Sequence, residues 1–267
     1  MKALYIGMLP LVLLLITSCV DGITPDFELE EQDFISGLLT NEEGFVSVEI
    51  QKTVEVTDTT FNPVNDAQVS LFTRDASNTT SLVSDTFSID NGQYTSFDTI
   101  TPIIGNAYWI EVVLENQTRL RSEEEILKEP IPIIDMVKTN DLVRINFTGP
   151  LDEQNFYLFR VEVFRDGELV DDVLDIANDR AINEIEEKFI VIDMIRDGDT
   201  VRASINNINF NTFQFYDNIL SNQGDEPEVF SLFAPINLVG NITNTTNNRL
   251  VLGNFGVSGL STMTMDF

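Results

Sequence analysis

The chain has 267 residues, 44 acidic against 15 basic side chains, a formal net charge of −29, no histidine and a single cysteine. The missing residues exclude Ser/His and Cys/His catalysis, histidine-bearing zinc sites and disulfide bonds, and leave carboxylates, hydroxyls, Lys and Tyr for any chemistry. The negative charge excludes nucleic acid as a partner, because phosphate backbones are bound by neutralising them with Lys and Arg.

The N-terminus has the pattern of a bacterial lipoprotein signal peptide over residues 1–18. Lys2 supplies a positive start, and residues 4–16 form a mostly apolar run that is too short to span a bilayer. The small side chains of Thr17 and Ser18 then precede Cys19. We therefore expect cleavage before Cys19, acylation of its thiol and stable anchoring by two or three acyl chains such as palmitate. The alternative is an ordinary secretory signal that leaves a free cysteine.

Residues 19–33 are predicted to form an acidic tether, because Gly22, Pro25 and the acidic side chains of this segment favour an extended and solvated chain. An acidic stretch directly behind a lipidated cysteine resembles the export signal that sends lipoproteins of the Bacteroidota to the outer face of their outer membrane. We therefore expect a lipid-anchored outer-membrane protein that faces the cell exterior.

From residue 34 onward, apolar and polar residues alternate, which is typical of strands with one buried side. Turn-forming pairs such as Asn91-Gly92 and Gly105-Asn106 separate these strands. Many short strands joined by polar turns predict a β-sandwich. The alternating faces are Val46, Val48 and Ile50; Ala67, Val69 and Leu71; and Tyr108, Ile110, Val112 and Leu114.

A charged segment with three consecutive glutamates, Glu123, Glu124 and Glu125, interrupts the strand pattern. We place a domain junction there. The prediction is an N-terminal β-sandwich domain over residues 34–128 and a C-terminal β-rich domain over residues 129–267. Strand patterns of the second domain cover residues 143–147, 157–164, 189–194 and 201–205.

Two segments of the second domain are predicted to be short helices. The first covers residues 178–187 and has Asn178 or Asp179 as its N-cap. The second covers residues 209–220, where Phe213, Tyr216 and Leu220 fall on one side. The fold class is therefore mostly β, with two sandwich-like domains and one or two short helices in the second.

The order of several short strings along the mature chain resembles a family of Bacteroidota surface lipoproteins, the one defined by domain of unknown function 4249. The resemblance spans nearly all of the chain that follows the lipidation cysteine. The strings are residues 35–41, 63–69, 91–94 and 198–201, the aromatic helix near Phe213, and residues 233–235 and 253–256.

This resemblance implies two β-rich domains, the first similar to a transthyretin-like or carboxypeptidase-regulatory sandwich. It also implies a position beside TonB-dependent outer-membrane transporters, and it implies no established enzymatic reaction. We therefore expect a non-catalytic accessory subunit that captures a ligand or binds such a barrel transporter. The alternatives are a carboxylate-dependent enzyme that acts on glycans and a structural or adhesive surface module.

Three aromatic residues are the candidates for a partner surface: Trp109, Phe213 and Tyr216. Trp109 lies on the opposite strand face from Tyr108 and Ile110, where Trp anchors protein contacts or stacks on sugars. The competing interpretation for each of the three is packing within the protein.

No catalytic residue, cofactor site or metal site is predicted. The acid pairs Asp171/Asp172 and Asp197/Asp199 have the oxygen ligands that calcium prefers, but they lack EF-hand spacing, so solvated turns are the preferred interpretation. A glycosidase needs only two carboxylates, and no spacing in this chain marks such a pair.

Overall fold

The structure of the chain is a computed structural model. The structure describes residues 31–54, 62–151, 153–179, 187–221 and 238–267. Cys19, the signal peptide and nearly all of the predicted tether lie outside these residues. No helix within the described ranges is long and apolar enough to cross a membrane.

The first part of the described chain consists of short strands. They are β1 (Asp33–Thr40), β2 (Ser47–Lys52), β3 (Asn62–Pro63), β4 (Gln68–Arg74), β5 (Thr80–Ser84), β6 (Phe87–Asp90), β7 (Gln93–Ser96), β8 (Ala107–Val113), β9 (Arg119–Ser122) and β10 (Glu125–Ile126).

The second part contains longer strands and a helix. These elements are β11 (Ile133–Thr139), β12 (Leu142–Thr148), β13 (Phe156–Arg165), β14 (Glu168–Asn178), β15 (Glu187–Ile192), β16 (Thr200–Ile208), α1 (Phe210–Leu220), β17 (Ile242–Asn244) and β18 (Leu252–Asp266).

The strands form three sheets within the described ranges. The largest has nine strands in the order β14-β13-β16-β18-β1-β2-β7-β6, with β3 paired to β2. A six-stranded sheet has the order β17-β9-β8-β4-β5, with β10 paired to β8, and a three-stranded sheet has the order β11-β12-β15. The mostly β, sandwich-like fold class predicted from the sequence is confirmed.

One hydrophobic core lies between the six-stranded sheet and the half of the large sheet that contains β1, β2 and β7. Ile35 and Ile50 from the large sheet share this core with Leu71 and Ile110 from the six-stranded sheet. The alternating residues Val46, Val48 and Ile50 are all buried, as the period-two pattern predicts.

A second core lies between the three-stranded sheet and the other half of the large sheet. Val143 and Ile145 of β12 pack there with Val161 of β13 and Val201 of β16. A neighbouring cluster adds Phe147, which contacts Tyr157 and Phe159 through its ring. The large sheet therefore contributes one layer to each of two β-sandwiches.

Strand β18 links the two sandwiches. Its first half, from Leu252 to Ser258, pairs in parallel with β1, and its second half, from Gly259 to Asp266, pairs antiparallel with β16. A C-terminal strand thus completes the sheet of the N-terminal sandwich. The predicted boundary at residues 128 and 129 lies between β10 and β11, and it stays a prediction.

The predicted helix at residues 209–220 is confirmed as α1, with Asn209 at its N-cap position. The helix predicted at residues 178–187 has its middle outside the described residues. At its two ends the structure has strands, because Asn178 closes β14 and Glu187 opens β15.

Candidate functional site

Trp109 lies on the face of the six-stranded sheet that points away from the core. Its neighbours Tyr108 and Ile110 belong to the core, as strand alternation requires. On the outer face, the indole stacks on Phe72 of the neighbouring strand β4, with ring centroids 5.5 Å apart and planes 11° apart. The predicted placement of Trp109 on the opposite face is therefore what the structure has.

Two arginines cover the indole of Trp109. The guanidinium carbons of Arg74 and Arg121 lie 5.4 and 4.9 Å from the ring centroid. Glu124 forms ion pairs with both arginines: its Oε2 lies 2.9 Å from Arg74 Nη1, and its Oε1 lies 2.8 Å from Arg121 Nη2. As a result Trp109 is only 2% exposed, and it is covered by its own chain.

This cover can be tested by fluorescence, because Trp109 is the only tryptophan of the chain. We expect an Arg74→Ala/Arg121→Ala double variant to shift the emission to longer wavelength, since water then reaches the indole. The variant should also lose about 1–2 kcal/mol of unfolding free energy for two cation–π contacts. Arg119→Ala, at an exposed position of β9, is the control. A double variant with wild-type emission would contradict the cover.

The other two predicted partner residues lie elsewhere, on α1. Phe213 and Tyr216 pack on a cluster formed by Phe156, Leu158 and Ile208. The rings of Phe213 and Phe156 are 5.0 Å apart, and burial raises the pKa of the Tyr216 hydroxyl. The structure therefore places Trp109 in one cluster and the helix aromatics in another. Their role in partner binding stays a prediction.

The three-stranded sheet has an unusually apolar outer face. It is formed by Val137 of β11, Leu142 and Arg144 of β12, and Phe189 and Val191 of β15. The four apolar residues of this face are between 42% and 53% exposed. Register makes the face continuous, because Arg144 is the partner of both Val137 and Val191 across the two strand pairs.

Arg144 is held in place at the centre of this outer face. Its guanidinium carbon lies 4.0 Å from the centroid of the Phe189 ring. Its Nε donates a hydrogen bond of 2.6 Å to Asn146 Oδ1, and Asn146 Nδ2 in turn donates to Asp135. Within the described chain no carboxylate forms an ion pair with Arg144. Exposed aromatic and Arg side chains of this kind are enriched where proteins bind partners.

Sequence reasoning identified β12 and β15 as strands and did not identify this outer face as a site. The alternation of Leu142, Arg144 and Asn146 with Val143, Ile145 and Phe147 does predict one buried side. The alternation does not show whether the other side meets water or a partner. Only the exposed fractions of Phe189 and Val191, together with those of their neighbours, make this outer face a candidate site.

One member of each acidic pair considered as a calcium ligand is bound by an arginine. Asp199 accepts two hydrogen bonds of 2.8 Å from Arg165, which hold the pKa of Asp199 below its usual value. Asp172 is bound in the same way by Arg160, with the same effect on its pKa. Among the described residues, no group of three or more potential metal ligands is present.

Glu125, which the sequence places in a charged junction, is buried with 3% exposure. Its carboxylate accepts hydrogen bonds from the hydroxyl of Thr212, the side-chain amides of Asn209 and Asn241, and the backbone N–H of Val257. Burial raises the pKa of Glu125, and these donors oppose the rise. Glu125 thus joins β10, α1 and β18, and its role is to hold these elements together.

Comparison with known proteins agrees with the resemblance found in the sequence. No curated protein matches the chain. The sequence model of the family described as Domain of unknown function (DUF4249) matches residues 21–264. This match begins two residues after Cys19 and covers every element described above except the last two residues of β18, so the chain belongs to the DUF4249 family.

Proposed function

We propose that this chain is a lipid-anchored surface protein of the outer membrane that works as a non-catalytic accessory subunit. In this proposal Cys19 carries the acyl chains, and the folded part binds a barrel transporter of the TonB-dependent kind. The contact is made by the outer face of the three-stranded sheet.

One observation supports partner binding above all: the outer face combines four half-exposed apolar residues with an arginine that is fixed on an aromatic ring. Solvent-facing sheet surfaces are normally polar. The net charge of −29 disfavours self-association, so a different protein is the better occupant. The arginine suits a partner that offers a carboxylate to this surface.

The anchor is tested by Cys19→Ser. We expect wild-type protein to stay with the membrane fraction after a high-salt wash, and Cys19→Ser to be released, because serine has no thiol to acylate and a peptide tether alone gives no stable anchoring. Ser18→Ala is the matched control, since it keeps a small residue before the cleavage site. Retention of Cys19→Ser on the membrane would show that another feature anchors the chain.

The partner is tested by affinity purification of the full chain from outer membranes in mild detergent. We expect the wild type to bring down a large barrel protein in stoichiometric amount. A Phe189→Ser/Val191→Ser variant should recover at least about tenfold less of it, because central apolar residues dominate binding energy. Leu82→Ser is the control, because Leu82 is 50% exposed on the other sandwich.

The outcomes separate the two parts of this proposal. Recovery of the wild type alone, without a barrel protein, contradicts the accessory role. A barrel protein that binds the Phe189→Ser/Val191→Ser variant as well as the wild type contradicts only the assigned surface. A barrel that is lost with Leu82→Ser but retained by Phe189→Ser/Val191→Ser would place the contact on the N-terminal sandwich.

A further inference from the structure

A buried lysine and a buried aspartate meet inside the second sandwich. Lys188 is on β15, and Asp179 directly follows β14. Their side chains are 1% and 0% exposed, and Lys188 Nζ lies 3.6 Å from Asp179 Oδ2. Within the described chain, Nζ has no hydrogen-bond partner. Burying an ammonium and a carboxylate costs several kcal/mol each, and an ammonium that donates no hydrogen bond regains little of that cost.

The carboxyl group of Asp179 is surrounded by donors. The backbone N–H of Asn155 donates to Oδ1 at 2.7 Å. The side-chain amide of Asn155 and the hydroxyl of Tyr157 both donate to Oδ2 at 2.9 Å. Burial would raise the pKa of Asp179, but these donors and the Lys188 charge hold it below its usual value. Burial and the contact with Asp179 raise the pKa of Tyr157, so its O–H remains a donor.

Gly149 lies against this cluster, and because it has no side chain it leaves room for Tyr157 and Lys188. A Cβ at this position would lie 2.5 Å from Tyr157 Oη and 2.8 Å from Lys188 Nζ. Any other residue would therefore push the hydroxyl and the amine away from the carboxyl group. The glycine allows the nucleophile, the carbonyl carbon and a proton donor to converge in a dry site.

We propose that Lys188 and Asp179 condense into an intramolecular amide bond. Nζ of Lys188 forms a bond to Cγ of Asp179, and the bond from Cγ to Oδ2 breaks. Oδ2 leaves as water with two protons that come from the ammonium group, passed on through the hydroxyl of Tyr157. Oδ1 becomes the amide oxygen. No oxidant or co-reactant is needed, because an ammonium and a carboxylate contain the atoms of one amide and one water.

The surroundings favour this reaction in two ways. The N–H of Asn155 points at Oδ1, which is where negative charge develops when Nζ adds to Cγ, so it acts as an oxyanion donor. The product also replaces two buried charges by a neutral amide and releases a water to solvent, which removes the burial cost of the ion pair.

The test is a tryptic map of the full-length protein. Trypsin cuts after Lys and Arg, so an unlinked chain gives separate peptides 166–180, 181–188 and 189–196. In a linked chain Lys188 is acylated and resists cleavage. We then expect one branched peptide that joins 166–180 to 181–196 and is about 18 Da lighter than their sum, the mass of one water.

Two variants test the roles of Lys188 and Tyr157 in forming the amide. Lys188→Arg keeps the positive charge but has no nucleophilic amine, so the branched peptide should disappear. Tyr157→Phe keeps the ring and should leave a fraction of the chain unlinked, and complete linkage in this variant would overturn the proton-transfer role of Tyr157. Full recovery of free peptides 181–188 and 189–196 from the wild type would overturn the amide itself, whether or not the variants fold.

Discussion

Gly253→Ala is expected to cost roughly 4 kcal/mol or more of unfolding free energy. Gly253 has a φ of +101°, a backbone conformation that residues with a Cβ rarely adopt. Its new methyl group would overlap the carbonyl oxygen of Ile35 and lie 2.6 Å from the carbonyl carbon. The two residues face each other in the parallel pairing of β1 with β18. Urea unfolding followed by circular dichroism measures the loss.

Two other glycines serve as controls that distinguish backbone strain from steric overlap. Gly105 has a φ of +87° and open space around its would-be Cβ, so Gly105→Ala should show backbone strain alone, about 1–2 kcal/mol. Gly44 has open space and an ordinary φ, so Gly44→Ala should be nearly neutral. A Gly253→Ala variant as stable as Gly105→Ala would contradict the close approach of β1 and β18.

Glu125→Ala is expected to destabilise the protein by about 3 kcal/mol or more, because buried donors lose the acceptor that they share. The donors left without an acceptor are the backbone N–H of Val257, the hydroxyl of Thr212 and the side-chain amides of Asn209 and Asn241.

Glu123→Ala is the control. Glu123 is two residues away in the chain, and its exposed carboxylate accepts a hydrogen bond from the side-chain amide of Asn211. Glu123→Ala should therefore change the free energy of unfolding by no more than about 0.5 kcal/mol.

The same carboxyl group predicts a pH dependence with a definite sign. The pKa of Glu125 is raised in the folded state above its usual 4.5. The folded protein then binds more protons than the unfolded chain between the two pKa values, so the contribution of Glu125 to stability falls as pH rises through that range. The stability difference between wild type and Glu125→Ala should therefore be largest at or below pH 4.5. A difference that grows with pH would contradict the burial of this group.

Much of the fold follows from local pattern. The face formed by Tyr108, Ile110 and Val112 is buried, because a strand with period two must place these side chains on one side of its sheet. The helix near Phe213 follows from the spacing of its apolar residues, which matches the face that packs on Phe156. Local pattern thus locates strands and their buried sides.

Pairing between distant segments does not follow from local pattern. Glu125 sits among Glu123 and Glu124 in the sequence, and nothing local shows that it alone is buried, because its donors come from α1 and β18. Lys188 and Asp179 are only nine positions apart, but no local pattern predicts their contact, because β14 and β15 belong to two different sheets of the same sandwich. The exposed apolar face around Phe189 also depends on the assembled sheets: a strand pattern shows two sides, and only the assembled sheets show which side remains exposed.

The pairing of β1 with β18 has a consequence for the order in which the protein folds. Among the described residues, the first strand to be synthesised pairs with the last one, so the N-terminal sandwich cannot close until residues 252–258 have been made. Contacts so distant along the chain form slowly and leave strand edges open to aggregation meanwhile. A stop codon shortly before residue 252 would therefore disrupt the first sandwich as well as the second, although every other strand described for the first sandwich had already been made.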